Sequence, residues 1–232
     1  MIGILGGMGT QAGLDFCNKL AKLNRGKLDQ QYPMFVLYNK SNTPRRPENL
    51  KKYYNVLKGL VAGCKMLQKN KCKFIVMPCN TAHYWHEDIQ KKIKIPLLSM
   101  PKEVYLHTKK TCKKNSAIGI LCTEATLKTN VYNNYFDKSF KLISPDKKFQ
   151  KNSVNKAIKF VKMGKIKEAE KVIRPAVKHL IKIKCKKIIL GCTELPIAIF
   201  AYKSFKKIKK SKVFIDPNLL LAEISLKKNK NL

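Results

Sequence analysis

Two cysteines, Cys79 and Cys192, stand at matching points of a pattern that occurs twice in the 232-residue chain. The segment Lys73–Thr81 is echoed 113 residues later by Lys186–Glu194. Two thiols can remove a proton from one face of a carbon and deliver another to the opposite face, one as base and the other as acid. The repeated cysteines therefore predict a two-base proton transfer.

Each of these cysteines follows an apolar run that predicts a buried strand, and each precedes a predicted helix. The positive end of a helix dipole stabilises a thiolate, whose unperturbed pKa is about 8.5. One cysteine in such a place is more often an inert buried residue, whereas two at equivalent points favour catalysis. For the neighbouring residues Asn80, Thr81 and Thr193, capping of the next helix is the structural alternative.

The chain contains eight cysteines, which we expect to be reduced thiols because an enzyme-sized chain rarely needs a disulfide framework. Cys72 lies seven residues before Cys79, and Cys185 lies seven before Cys192. A strand rises about 3.3 Å per residue, so the members of each pair should lie too far apart to share a metal ion. We predict no metal site. Three further cysteines are predicted to be small core residues of helices: Cys17, Cys64 and Cys112.

Short apolar runs alternate with longer helical periods, which predicts an α/β fold in which parallel sheets are flanked by helices. Strands are predicted at Ile2–Leu5, Met34–Tyr38, Phe74–Met77, Pro96–Ser99, Ala117–Leu121, Phe140–Ile143, Ile188–Leu190 and Val213–Ile215. Helices are predicted at Ala12–Leu23, Asn49–Gln68, Ala82–Lys92, Glu103–Lys113, Ala125–Tyr135, Ser153–Met163 and Lys167–Ile183.

The internal echo also predicts two pseudo-symmetric lobes, since the Ile-Gly-Ile-Leu run of residues 2–5 recurs at residues 118–121. We place the first lobe at residues 1–98 and the second at 99–216, with the active site in the interlobe cleft. A C-terminal helix at residues 217–232 is expected to pack back on the first lobe, with its Lys-rich end frayed from Lys227.

Ligands of parallel α/β sheets bind beyond the carboxyl ends of the strands. Four segments are predicted there, at residues 6–10, 79–83, 122–126 and 191–194. The first contains Gly6-Gly-Met-Gly9, a turn that lets the backbone approach an anion. It lacks the spacing of a dinucleotide-binding glycine motif and is followed by no Gly-Lys-Ser/Thr sequence, which argues against a nucleotide cofactor.

The net charge of +35 suggests polyanion binding, but the excess is almost entirely lysine spread over the predicted helices. The chain has four arginines, which are Arg25, Arg45, Arg46 and Arg174. Specific nucleic-acid recognition usually relies on arginine, so we expect no specific nucleic-acid partner. No run approaches the roughly 20 apolar residues of a membrane helix, and we expect no membrane association and a cytoplasmic location.

Three motifs, Ile2-Gly-Ile-Leu-Gly-Gly-Met-Gly9, Cys79-Asn-Thr-Ala-His83 and Leu190-Gly-Cys-Thr-Glu-Leu-Pro196, resemble those of the aspartate/glutamate racemase family, which is independent of pyridoxal phosphate. The likeness extends over most of the chain, and Glu194 resembles the aspartate racemase branch. It implies cofactor-independent racemisation of aspartate, with glutamate or a broader range possible, and a homodimer.

The resemblance implies that Cys79 and Cys192 exchange the roles of base and acid. It also implies two cations, Arg46 and Lys162, for the second carboxylate of an acidic amino acid. The remaining substrate-binding candidates are Met8, Asn80, Thr81, Thr123, Thr126 and Thr193. His83 is interpreted as a packing or orienting residue, and Glu194 as either a proton partner of Cys192 or a helix cap.

The chain departs from the family pattern at several positions near these motifs: Thr10, Gly13, Arg45, Cys122 and Ala125. Arg45 stands where an aspartate usually precedes the arginine, and Cys122 adds a third thiol near the predicted site. Two alternatives remain. One is a one-thiol isomerase or decarboxylase of a dicarboxylate, and the other is a non-enzymatic protein that binds polyanions.

Overall fold

The computed structural model describes residues 1–46, 48–136, 138–201 and 212–230. The chain forms two compact units, one comprising Met1–Met100 with the segment from Asn218, and the other comprising Pro101–Pro217. Within the described ranges, no helix has the length and apolar character needed to cross a membrane.

The strands are β1 (Ile2–Gly6), β2 (Phe35–Asn39), β3 (Phe74–Val76), β4 (Ser116–Cys122), β5 (Phe140–Ile143), β6 (Lys187–Gly191) and β7 (Phe214–Ile215). The described α-helices are α1 (Thr10–Leu23), α2 (Tyr53–Lys69), α3 (His86–Gln90), α4 (Met100–Thr111), α5 (Glu124–Lys128), α6 (Lys147–Phe149), α7 (Lys156–Lys162), α8 (Ile166–Lys182), α9 (Leu195–Ala201) and α10 (Pro217–Lys230). Short 3-10 helices lie at Asp29–Gln31, Leu50–Lys52 and Thr81–Trp85, and a π-helix lies at Gln150–Asn155.

The sheet of the first unit is parallel and has the order β2-β1-β3. Every residue of β1 is buried, as expected for a central parallel strand with helices on both faces. Its Leu5 packs into one apolar cluster with Leu60 of α2, and its Ile4 packs into another with Phe16 of α1 and Leu221 of α10.

The sheet of the second unit is also parallel and has the order β5-β4-β6-β7. In both units the strand that comes first along the chain lies between the second and the third. An isolated parallel β-bridge joins Ile75 of β3 to Leu97. Leu97 thus occupies the place beside β3 that β7 occupies beside β6. The predicted α/β fold with two related parallel sheets is therefore confirmed.

Several predicted boundaries are wrong. The predicted strand at residues 96–99 is reduced to the Leu97 bridge because Pro96 has no N–H to donate and α4 begins at Met100. The predicted helix at residues 125–135 ends as α5 at Lys128, and Asn130 has a positive φ of 52°.

The predicted fraying from Lys227 is wrong, because α10 continues as helix to Lys230. As predicted, this helix packs on the first unit, where Leu226 joins the apolar cluster of α1. Residues 231–232 lie outside the described residues. Asn218 at the start of α10 donates hydrogen bonds to the Ala12 carbonyl and to Asp15 of α1. Cys112 was predicted to be a core residue, but it is half-buried and follows the last residue of α4.

Candidate active site

The loop after β1 crosses directly over the loop after β2. Gly7 has a φ of +83°, and a Cβ there would lie 2.2 Å from the carbonyl carbon of Lys40 and 2.5 Å from the Ser41 nitrogen. Only glycine fits this backbone crossing. The next residue, Met8, is buried in the apolar cluster that also contains Cys79.

Cys79 lies three residues beyond the end of β3 and is 7% exposed. Its N–H donates to the Met77 carbonyl at 2.7 Å. The element that follows is the 3-10 helix Thr81–Trp85, and Asn80 has helical dihedral angles and makes no side-chain capping bond. The capping interpretation is therefore wrong for Asn80, and the side chains of Asn80 and Thr81 are both buried beside the thiol segment.

His83 holds the backbone of the Cys79 segment. Its Nε2 accepts a hydrogen bond from the Met100 N–H at 3.1 Å, so the ring proton resides on Nδ1, which donates to the Cys79 carbonyl at 2.9 Å. Burial, with a smaller contribution from His86, lowers the pKa of His83 to about 4. A neutral ring with both nitrogens engaged orients Cys79 and is unsuited to act as a base.

Two adjacent arginines follow β2 and have opposite environments. Arg46 is 8% exposed, and its Nη1 donates to the carbonyls of Thr43 and Pro44 at 3.3 and 3.0 Å. Its Nε is buried and has no hydrogen-bond partner among the described residues. Arg45, in contrast, is exposed and pairs with Glu48 at 2.9 Å. A guanidinium fixed by backbone carbonyls, with its Nε donor unpaired among the described residues, can receive a carboxylate.

In the second unit, Thr123 and Thr126 form one hydrogen-bonded pair after β4. The Thr123 hydroxyl accepts from the Thr126 N–H at 3.2 Å, and the two hydroxyl oxygens lie 3.0 Å apart. Thr123 thereby caps α5. Gln150 of the π-helix donates to the Cys122 carbonyl at 2.9 Å and fixes the end of β4, a contact that no sequence pattern predicted.

Cys192, Glu194 and Lys162 form a line of polar contacts after β6. The Cys192 thiol donates to Glu194 Oε2 at 3.0 Å, and Lys162 Nζ lies 3.7 Å from Glu194 Oε1. Thr193 Oγ1 lies 3.4 Å from the same Oε2. Cys192 and Glu194 are buried, whereas the Lys162 side chain is 45% exposed.

The predicted stabilisation of a Cys192 thiolate is wrong. Burial, and after it the adjacent Glu194 carboxylate, raise the pKa of the Cys192 thiol well above its usual value, while Lys162 acts in the opposite direction. The third thiol, Cys122, is opposite Gly191 in the register of β4 and β6, and burial raises its pKa as well. Cys122 and Cys192 are therefore both protonated near neutral pH.

The candidate residues divide between the two units. Met8, Arg46, Cys79, Asn80 and Thr81 lie beyond the carboxyl ends of the strands of the first unit. In the second unit, Thr123, Thr126, Cys192 and Thr193 follow the corresponding strands, and Lys162 reaches this edge from the last residue of α7. Within each unit the structure thus gathers the chemistry at the carboxyl edge of the sheet.

Comparison with known proteins shows the lineage of this arrangement. The model of the family described as Asp/Glu/Hydantoin racemase matches residues 5–224. The chain belongs to this family. The predicted relation to the aspartate/glutamate racemases is confirmed.

Three relatives illustrate the match. The broad specificity amino-acid racemase RacX of Bacillus subtilis strain 168 is 32% identical over 136 residues, which are 57% of this chain and 58% of RacX. The chain thus spans less than two thirds of that relative. The aspartate racemase of Picrophilus torridus is 29% identical, with a TM-score of 0.84 over 99% of this chain and 94% of that one. A glutamate racemase of Thermus thermophilus, solved with β-chloro-D-alanine, shares the fold at 20% identity, with a TM-score of 0.70 over 99% of this chain and 80% of that one.

Proposed function

We propose that this protein interconverts the enantiomers of an acidic amino acid, with aspartate as the preferred substrate, by proton transfer between Cys79 and Cys192. The observation that carries the proposal is the equivalent placement of the two thiols. Each follows the third strand of its sheet, β3 or β6, and each of these strands neighbours the central strand β1 or β4. Two related halves supply one thiol each.

Inversion at the α-carbon requires two groups on opposite faces of the substrate. One thiolate removes the α-proton, and the second thiol delivers a proton to the other face. The first sulfur then carries the proton, and the second becomes a thiolate. The proposal requires both thiols to reach one α-carbon, and it requires no redox step.

The α-proton of an amino acid is weakly acidic, so the negative charge that develops on its removal must be stabilised by fixed donors. Asn80, Thr81 and Thr193, each adjacent to a catalytic cysteine or one residue beyond it, are proposed for this role. Thr123 and Thr126 are proposed for the same role after β4, where their hydroxyls are already oriented by one another.

An acidic substrate carries a second carboxylate, and the environment of Arg46 supports its recognition. The buried guanidinium uses Nη1 on two backbone carbonyls and keeps a buried Nε donor for a ligand. Lys162 is the proposed second cation, and its ammonium pairs with Glu194. The likeness to an aspartate racemase over almost the whole chain favours aspartate, and the likeness to RacX makes a broader substrate range the alternative.

The test is incubation of each enantiomer of aspartate and glutamate with the protein in heavy water. Proton NMR would follow replacement of the α-proton, and polarimetry would follow inversion. We expect exchange with inversion for both enantiomers of aspartate, and faster turnover of aspartate than of glutamate. Absence of exchange with all four compounds would refute the proposed function.

Variants of the two cysteines test the two-base mechanism itself. Cys79→Ala and Cys192→Ala should each lower racemisation at least about 100-fold, the usual contribution of a positioned acid or base. Each variant should still exchange the α-proton of the enantiomer that faces the remaining thiol. Cys112→Ala, at a half-buried cysteine after α4, is the matched control and should keep full activity. Normal turnover in either catalytic variant would contradict the mechanism.

A further inference from the structure

We propose that Glu194 holds the proton on Cys192, which makes Cys192 the acid and Cys79 the base of the resting enzyme. This role assignment rests on the racemase function proposed above. It goes beyond that proposal because a pair of interchangeable thiols would have no preferred resting form.

The hydrogen-bond geometry is the first support. Cys192 Sγ lies 3.0 Å from Glu194 Oε2, with the thiol as donor. The same oxygen lies 3.4 Å from the Thr193 hydroxyl, which orients the carboxylate from the other side. A hydrogen bond to an ionised acceptor is stronger than one between neutral groups, and burial of both partners keeps water from competing for it.

The charges around the thiol are the second support. Loss of the Cys192 proton would place a buried thiolate against the Glu194 carboxylate, and two neighbouring anions repel. Lys162 opposes this effect, but its ammonium contacts Glu194 from a half-exposed side chain, where water weakens its influence. Tyr132 is also buried in this part of the unit, and burial first, with smaller contributions from its ionisable neighbours Cys122, Asp216 and Cys192, raises its pKa and keeps its hydroxyl neutral. Tyr132 therefore adds no positive charge.

The first half of the chain differs at the corresponding position. Thr81 stands two residues after Cys79, where Glu194 stands two residues after Cys192. The titratable side chain that contacts the Cys79 segment, His83, is neutral and bonds to the Cys79 carbonyl. The first repeat therefore carries no carboxylate at this point, and we assign the role of base to Cys79 on this difference between the repeats.

The resulting cycle balances its protons. In the resting form Cys79 is a thiolate and Cys192 a thiol. Cys79 takes the α-proton, and Cys192 gives its proton to the opposite face, which leaves a Cys79 thiol and a Cys192 thiolate. The unfavourable anion beside Glu194 then recovers a proton while Cys79 releases one to solvent, which restores the resting form.

The decisive experiment measures the reactivity of each thiol in the folded protein by iodoacetamide labelling at pH 8, with peptide mass spectrometry. Glu194→Gln keeps the shape and removes the charge. Cys192 in this variant should be alkylated about tenfold faster, as a fall of one pKa unit requires. The labelling rate of Cys79 in the same sample should stay unchanged, which reports that the fold is intact.

Glu124→Gln is a matched control, because Cys122-Thr-Glu124 repeats the tripeptide Cys192-Thr-Glu194 at the end of the neighbouring strand. Glu124 is exposed and accepts a hydrogen bond from Asn155 at 2.8 Å. Its replacement should leave the labelling of Cys192 unchanged.

A second variant should act in the opposite direction. Lys162→Met removes the cation that lowers the pKa of Cys192, so its labelling should become slower than in the unmodified protein. Lys159→Met, one turn earlier on α7, serves as its control. A general loosening of the fold would expose the Cys192 thiol in both variants and speed its labelling in both. Faster labelling in Glu194→Gln together with slower labelling in Lys162→Met therefore cannot arise in that way.

The outcomes separate this proposal from the proposed function. An unchanged or slower Cys192 reaction in Glu194→Gln would overturn the role of Glu194, even if the protein racemises aspartate. Faster labelling in a protein that exchanges no α-proton would refute the racemase function, and with it the assignment of acid and base. In an active enzyme, the enantiomer whose α-proton exchanges in Cys192→Ala is the one that Cys79 deprotonates.

Discussion

At the scale of single residues, His83 shows how a histidine can serve a site without titrating in the physiological range. Its two ring nitrogens have different partners, and only the neutral ring satisfies both. Protonation would turn Nε2 into a donor facing the Met100 N–H, which is also a donor. The same contacts that orient Cys79 therefore make the fold sensitive to acid.

A pH dependence of stability follows. The pKa of His83 falls from 6.5 to about 4 on folding, so between these values the unfolded chain binds more protons than the folded one. The neutral His83 ring makes its full contribution to the free energy of unfolding above pH 6.5. This contribution, about 3 kcal/mol for such a pKa shift, is lost as the pH falls toward 4. Urea unfolding between pH 7 and pH 4 should show this loss. In His83→Asn the free energy of unfolding should depend less steeply on pH. His179→Asn, outside this network, should keep the slope of the unmodified protein.

The two adjacent arginines give a matched pair of variants. Arg46→Lys keeps the positive charge but loses the planar guanidinium fork. The loss of one hydrogen bond to a charged group costs about 1.5–3 kcal/mol, so kcat/KM should fall roughly 10- to 100-fold. Arg45→Lys, at the exposed partner of Glu48, should leave kcat/KM near its original value. Steady-state racemisation of aspartate measures both. Equal losses in the two variants would contradict a carboxylate-binding role for Arg46.

At the scale of elements, the crossing of the loops after β1 and β2 depends on Gly7. Gly7→Ala would force a Cβ into the backbone of Lys40 at a positive φ, and we expect a loss of at least about 3 kcal/mol of unfolding free energy. Gly164 also has a positive φ, of +75°, but no atom lies within 4 Å of the place where its Cβ would stand. Gly164→Ala should therefore cost only about 1 kcal/mol. Urea unfolding compares the two, and similar losses would show that the crossing is not the constraint.

The elements that the sequence predicted well are those with a strong apolar period. The buried runs of β1, β3, β4 and β6 were located to within about two residues of their ends, because a parallel strand that is covered on both faces must be continuously apolar. Elements determined by tertiary contacts were missed or displaced. The π-helix Gln150–Asn155 reads as ordinary helix in sequence, since its distinguishing contact is the bond from Gln150 to the Cys122 carbonyl.

The same distinction applies to the candidate site. The placement of Cys79 and Cys192 after strands could be predicted from the repeat alone. The state of Cys192 could not, because it depends on the rotamer of Glu194 and on the reach of Lys162 from a different helix. A helix-dipole argument treats only the backbone, and here burial of the thiol, and after it the neighbouring Glu194 carboxylate, outweigh the dipole.

At the scale of the whole molecule, the excess of 49 basic over 14 acidic side chains makes self-repulsion a general destabilising term. Raising the salt concentration from about 10 mM to about 150 mM shortens the screening length from roughly 30 to 8 Å. The melting temperature should therefore rise with NaCl, as calorimetry can measure. Sodium sulfate at equal ionic strength separates screening from specific anion effects. A melting temperature that falls or stays constant in both salts would contradict net repulsion.

The packing between β4 and β6 has a consequence for how this lineage can change. A Cβ added at Gly191 would lie 3.0 Å from the Cβ of Cys122, its register partner. Gly191 immediately precedes Cys192, so a larger residue there would displace the segment that carries the thiol. The two positions should therefore covary among related chains. The contact is with the Cβ of residue 122, which every residue except glycine carries, so a side chain at 191 requires glycine at 122 or a shift of the two strands. This close packing narrows the routes open to mutation beside the candidate site.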